Sequence, residues 1–179
     1  MGRYVALLRG INVGGTRKLP MARLRAICAE LGWTEVQTYI QSGNVAFSAS
    51  GKAAGLEDAL ERAIAAEFGF EIAVIVRSAA QWCAYPAANP FPKAAEDEPN
   101  RLMLHLSKTP PAADAEARIA ERAAAGEQVR RVGDAIWIHY PAGVGTTKIT
   151  PNLLDRAAGS PVTARNWRTV MTLQDMLGA

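Results

Sequence analysis

Three glycines, one asparagine and three cations fall together near the start of the chain, in Arg9-Gly-Ile-Asn-Val-Gly-Gly15 and the following Thr-Arg-Lys18. Glycine lets a backbone come close to an outside group, and amide N–H groups beside Arg and Lys make a setting for an anion. Arg9, Asn12, Gly14, Gly15 and Lys18 are therefore the first candidates for a binding site. A second set is Ser42-Gly43-Asn44, again small residues and amides. A third is Gly143-Val-Gly-Thr-Thr-Lys148, which leads into Thr150-Pro151. The fourth is Thr163-Ala-Arg165-Asn166-Trp167. Lys148 near a helix N-terminus suits an anion. If Thr163 caps a helix, Arg165 and Asn166 fall in its first turn. A cation is unfavourable there unless it pairs with an acid or reaches an anion.

Other chemistries find less support. Gly143–Lys148 lacks the GxxxxGK[ST] order of a phosphate loop, and no GxGxxG follows a strand pattern. His105 and His139 are the two histidines. Alternation puts both on one sheet face, opposite Leu102, Leu104 and Leu106 and opposite Ile136 and Ile138. A third ligand is not apparent, so no metal is assigned. No catalytic residue and no cofactor is assigned, and whether the protein is an enzyme stays open. Cys28 and Cys83 sit among apolar neighbours and read as reduced core thiols, which implies a cytoplasmic protein.

Positioning these residues takes a chain of 179 residues, 49% hydrophobic and 21% charged, with a net charge of +3. That is ordinary for a globular protein with a sizeable core. No run approaches the ~20 apolar residues of a membrane span. Charge is unevenly placed. Six basic residues lie between Arg3 and Arg25 with no acid before Glu30, and Lys148, Arg156, Arg165 and Arg168 are set against Asp155 alone between residues 140 and 174. The glycine-rich stretches are also the positive ones, which favours anionic partners.

Periodicity supplies the elements. Tyr4–Ile11 reads as a buried strand, and Met21, Leu24, Ile27, Cys28 and Leu31 form a helical stripe begun at Pro20 and stopped at Gly32. A hairpin turns at 42–44, a helix carries Leu56, Leu60, Ile64 and Phe68, and a strand follows over 72–77. The order is βαββαβ, the ferredoxin-like pattern. A short helix and a proline- and acid-rich connector fill 79–99. A second cycle has a strand over 101–107, a helix from Asp114, a hairpin around Gly133-Asp134, a helix from Pro151 and a last helix capped by Thr163. The expected fold is α+β, two ferredoxin-like subdomains in tandem. The first spans 1–78 and the second 100–179, the second ending in helices where its final strand would be.

In such a unit the first two strands run the same way, so the loop after strand one and the hairpin turn share one sheet edge. Arg9, Asn12, Gly14 and Gly15 then meet Ser42, Gly43 and Asn44. Lys148 and Arg165 complete that site if the second half folds back on it.

Arg-Gly-Ile-Asn-Val-Gly-Gly, Lys18-Leu-Pro-Met21, Thr38-Tyr-Ile-Gln-Ser-Gly-Asn-Val-Ala-Phe47 and Thr163-Ala-Arg-Asn-Trp-Arg-Thr-Val170 resemble the motifs of the family catalogued as domain of unknown function 1697. The resemblance runs from Tyr4 to about Leu177. It takes in Gly10, Tyr39, Asn89-Pro90-Phe91 and Lys148 as well. Thr147-Lys148-Ile149 stands where the family more often has Ser-Lys-Leu, a change that keeps hydroxyl, cation and aliphatic. The resemblance implies a bacterial protein of ferredoxin-like units and no established reaction. Three readings follow: a cytoplasmic protein binding a small phosphate-bearing, nucleotide-like ligand; a nucleic-acid-binding module on the same basic edge; or a structural or regulatory protein without ligand. The RNA-stacking mode of ferredoxin-like domains is disfavoured, because Phe47 is alone on the third strand.

Overall fold

A computed structural model describes residues 1–178. The chain divides into two compact units, one of Met1–Ala84 with the residues from Leu173 on, the other of Tyr85–Thr172.

Unit 1 begins with β1 (Gly2–Leu8), α1 (Met21–Glu30), β2 (Thr34–Tyr39), β3 (Asn44–Ala49), α2 (Ala53–Phe68) and β4 (Val74–Ser78). Its four strands form an antiparallel sheet in the order β2-β3-β1-β4. Alternation aims Ala6, Leu8, Val45, Phe47, Val74 and Val76 at one face, where Leu24, Ile27 and Cys28 of α1 and Leu56, Leu60 and Ile64 of α2 cover them. Trp33 stacks on Phe47 with ring centres 4.0 Å apart. Burial among these side chains pushes the Cys28 thiol up to about 12, so it stays protonated and inert. The α2 helix stops where Gly69 takes φ +71°, as its glycine foretells. Pro20 is the N-cap of α1 rather than its first residue.

At the free edge of this sheet, two outward N–H groups of β4 are bonded to carboxylates. Val74 donates to Glu61 and Val76 to Glu57, each at 2.8 Å. Both acids belong to α2, so the helix seals an edge that would otherwise accept another strand.

The boundary crosses α3 (Ala79–Ala87), and unit 2 continues with α4 (Pro92–Asp97), β5 (Leu102–Ser107), α5 (Ala115–Ala120), β6 (Gln128–Val132), β7 (Ala135–His139), α6 (Pro151–Ala158), β8 (Val162–Asn166) and the start of α7 (Trp167–Met176). Its sheet is again antiparallel, ordered β6-β7-β5-β8. Ile119 of α5 and Leu154 and Ala157 of α6 pack on Val129, Ile136, Ile138 and Val162. Thr150 caps α6 through Leu153 N–H at 3.2 Å, with Pro151 in the first turn. The edge device recurs: Asp155 of α6 accepts from Val162 N–H at 2.9 Å.

Two expectations are corrected here. The last strand of the second cycle is not replaced by helix. Residues 162–166 pair with β5 as β8, and the helix starts at Trp167. Thr163 is thus a strand residue, and Asn166 does the capping, accepting from Thr169 N–H at 2.9 Å. The stretch 79–99 also holds a helix, α4, in addition to the short one expected. No helix among the described residues is long and apolar enough to cross a membrane.

Candidate functional site

The two glycine-bearing loops of unit 1 meet. Leu8 N–H donates to Gly43 O at 2.9 Å, and Arg9 N–H to Ala73 O at 3.0 Å, so both sheet neighbours grip the end of β1. The chain then folds into a small hairpin. Asn12 N–H reaches Arg17 O and Thr16 N–H reaches Val13 O, each at 3.1 Å, around Gly14 and Gly15 at φ +57° and +78°. Two successive left-handed residues make the tight turn that Gly-Gly permits. A Cβ on either glycine would meet nothing within 4 Å, so the turn demands them and packing does not.

Asn12 holds this hairpin. Its Nδ2 donates to Leu19 O at 3.0 Å and to Gln41 O at 2.8 Å, and its Oδ1 accepts from Leu19 N–H at 2.8 Å. One side chain thus fixes the foot of the hairpin and joins it to the β2–β3 turn. Asn12→Ala breaks all three bonds and leaves the N–H of the buried Leu19 without its acceptor. The expected loss is about 2 kcal/mol by denaturant unfolding. Faster proteolytic nicking between Val13 and Lys18 is expected with it.

The role expected of several small residues is corrected by these contacts. Asn44 has no exposed surface. Its Nδ2 donates to Tyr39 O at 2.9 Å and to Ser42 Oγ at 3.1 Å, so it closes its own turn instead of orienting a ligand. Gly43, at φ +82°, lies beneath Ile11 and Leu8, where a Cβ would come within 2.7 and 2.8 Å. Ser42, half-buried, accepts from Asn44.

What stays exposed is the run from Val13 to Lys18. Of the six cations between Arg3 and Arg25, Arg3 bonds Glu35 and Met176 O. Arg23 forks between Glu67 and Glu30, which hold its guanidinium above its ordinary range, and Arg25 bonds Thr38. Arg9 is half-buried and engaged. Arg17 and Lys18 remain, with no acid partner among the described residues. Arg17 sits at φ +47°, a left-handed conformation that costs a side-chain-bearing residue about 1 kcal/mol.

The other candidates belong to unit 2. Lys148 is exposed in the loop before α6. The preceding Thr147 donates to the buried Glu127 and accepts from Ile149 N–H at 3.1 Å, which fixes the loop's exit. Arg165 is on β8, not in a helical first turn, and is 7% exposed. Its Nη1 donates to Thr163 Oγ1 and Ala164 O at 2.8 Å, and burial lowers its pKa to about 10. Asn166 serves as the α7 cap. These two are accounted for structurally, whereas Lys148 is not.

The histidines lie on opposite faces of the second sheet. His105 pairs across from Ile136, with the helices, while His139 pairs across from Leu102. The expectation of one shared face is wrong by one residue of register, which reverses a face. His105 is buried with Nε2 3.2 Å from Tyr140 Oη, and desolvation lowers its pKa to about 4. His139 instead bonds Glu98 at 2.7 Å. That acid went unrecognised because Glu96-Asp97-Glu98 reads as solvated connector. The signal lay in an acid run next to Asn89-Pro90-Phe91.

A family model described as "Protein of unknown function (DUF1697)" matches residues 1–137. The solved structure titled "The structure of conserved bacterial protein SP0830 from Streptococcus pneumoniae" is similar at a TM-score of 0.73 and 26% identity, covering 98% of each chain. Comparison with curated proteins gives no match.

Proposed function

The chain belongs to the DUF1697 family, whose description carries no reaction, and from that premise we propose a function on the residues themselves: the hairpin Val13–Lys18 binds a small phosphate-bearing, nucleotide-like anion in the cytoplasm. The observation that carries this reading is a wholly exposed hairpin with Arg17 in a strained backbone state beside Lys18 and no acid partner to either among the described residues. Strain kept at an exposed, well-bonded loop points to use of the group held there. Arg17 and Lys18 supply the charge, and the N–H groups of Gly14 and Gly15 the hydrogen bonds. Arg9 adds to the positive potential, while Asn12 positions the loop and Ser42, Gly43 and Asn44 support it from below. Lys148 in unit 2 is a further cation for the same class of ligand. Such contacts hold and orient a phosphate, and no bond-making step is assigned to them.

The strand order of each sheet, with βαββαβ connectivity, supports reading the chain as two ferredoxin-like subdomains in tandem. Recurrence of the edge-sealing acid on β4 and β8 supports descent of both from one unit. A second reading, binding of a nucleic-acid backbone, draws on the openness of the hairpin, since all six residues from Val13 to Lys18 are exposed.

A thermal-shift screen with nucleotides and phospho-metabolites tests the proposal. At a hundredfold excess over Kd, a ligand stabilises by about 2.7 kcal/mol, several degrees in Tm. Arg17→Ala/Lys18→Ala keeps the apo Tm and abolishes that rise. If single-stranded oligonucleotides alone raise Tm, with an affinity falling steeply with salt, the nucleic-acid reading replaces the first. An unchanged response in the double variant sinks both.

A further inference from the structure

Unit 2 contains a cavity of about 400 Å³ that the hairpin reading does not use. Its lining joins the apolar Pro90, Phe91 and Pro92 to His139 and Gln128, which are paired across β7 and β6. Lys93, Asp97 and Glu98 bring charge to it. Lys93 and Asp97 are exposed and have no partner among the described residues.

The histidine here is held on one side by an acid. Its Nε2 lies 2.7 Å from Glu98 Oε2, and Glu98 Oε1 accepts from Arg101 Nη1 at 2.8 Å. Arg101 in turn donates to Pro141 O at 2.6 Å, so the carboxylate is held from behind. Bonds from His139 first and Arg101 second keep Glu98 below the ordinary carboxylate range. A charged carboxylate only accepts, so Nε2 carries the hydrogen. In the neutral ring, Nδ1 then keeps its lone pair. This is the base-and-orienting-acid pair of general-base sites, beside a ring-sized apolar hollow.

We propose that this cavity binds a flat ring compound bearing a weakly acidic O–H or N–H and that His139 takes its proton. The ligand's O–H or N–H bond breaks, its electron pair stays on the ligand, and a new N–H bond forms at Nδ1. The resulting imidazolium keeps its Nε2–H on Glu98. Phe91 and the two prolines contact the ring, and the ligand anion is balanced by the imidazolium and Lys93. Of the charged groups around His139, Lys93, Arg101 and Arg168 favour that anion, Arg168 sharing a neighbouring hollow with Glu98 and Arg101. Asp97 opposes it, and Glu98 favours the imidazolium. The strand partners Leu102 and Gln128 carry no charge.

4-Nitrophenol reports this directly, because its phenolate absorbs where the phenol does not. With the whole protein in excess, the bound probe is expected to ionise at least about tenfold more readily than free probe at the same pH. Phe91→Ala weakens binding by about tenfold, and Lys93→Ala weakens the ionisation gain. His139→Gln lowers the ionisation of the bound probe most of the way to the free value, Lys93 keeping the remainder, and Glu98→Gln does so in part. Melting curves of each variant exclude unfolding as the cause. Absence of saturable binding by the wild type overturns the proposal. So does undiminished ionisation in folded His139→Gln, or undiminished affinity in folded Phe91→Ala. None of these outcomes bears on the hairpin of unit 1.

Discussion

Gly43→Ala is expected to destabilise the protein by about 3 kcal/mol, combining a left-handed backbone penalty of about 1–2 kcal/mol with overpacking of similar size. The glycine sits at φ +82°, and a Cβ there would lie 2.7 Å from Ile11 Cδ1 and 2.8 Å from Leu8 Cβ. Ile11 could swing its terminal carbon aside. Leu8 Cβ cannot follow, since it is fixed to a strand whose N–H bonds Gly43 O itself. Relief therefore means parting β1 from the turn that carries Asn44. Gly14→Ala supplies the contrast, with φ +57° and nothing within 4 Å of its Cβ. It should lose about 1 kcal/mol from backbone strain alone. Denaturant unfolding of both variants separates space from conformation, and equal losses would mean that the contact above Gly43 is unimportant.

Acid should weaken the fold well before its carboxylates titrate. His105 is buried, and burial lowers its pKa from 6.5 to about 4. Between those values the unfolded chain binds a proton that the folded chain refuses, so stability falls as pH falls. The loss is absent above about pH 6.5 and reaches about 3 kcal/mol near pH 4. The depressed carboxylates Glu67, Glu98 and Glu127 add their own losses, but only below their ordinary 4.5. The interval from pH 6.5 to 5 therefore belongs mainly to His105. Unfolding free energies in that interval should slope in the wild type and flatten in His105→Phe, which fills the site without a titrating ring. A slope unchanged by the substitution would assign it to other groups.

Helix ends were legible where the ending is local chemistry: Gly69 takes a left-handed cap, and Thr150-Pro151 opens α6. The strand β8 was not legible, because Val162-Thr-Ala-Arg-Asn has a capping residue early and a tryptophan stripe after it. Pairing with β5 decided in favour of strand, and the capping duty moved three residues on, to Asn166. Meeting of the two loops in unit 1 followed from topology, since parallel first and second strands bring their ends together. The roles of the amides there did not follow. An asparagine that bonds its own loop and one that faces a ligand look alike in sequence. In the folded chain Asn12 and Asn44 bond inward, and the side chains of Arg17 and Lys18 do not. The histidines failed for a narrower reason, since alternation within each strand was right but the register between strands was not.

The central claim is that the tip at Gly14 and Gly15, with Arg17 and Lys18, receives a phosphate. Titration of the ¹⁵N-labelled protein with inorganic pyrophosphate, following individual amides by NMR, is its most direct test. The Gly14 and Gly15 signals should move progressively to saturation in the wild type and stay in place in Arg17→Ala/Lys18→Ala. Saturating shifts elsewhere with those two glycines unmoved, or no saturable shift at all, would contradict the account.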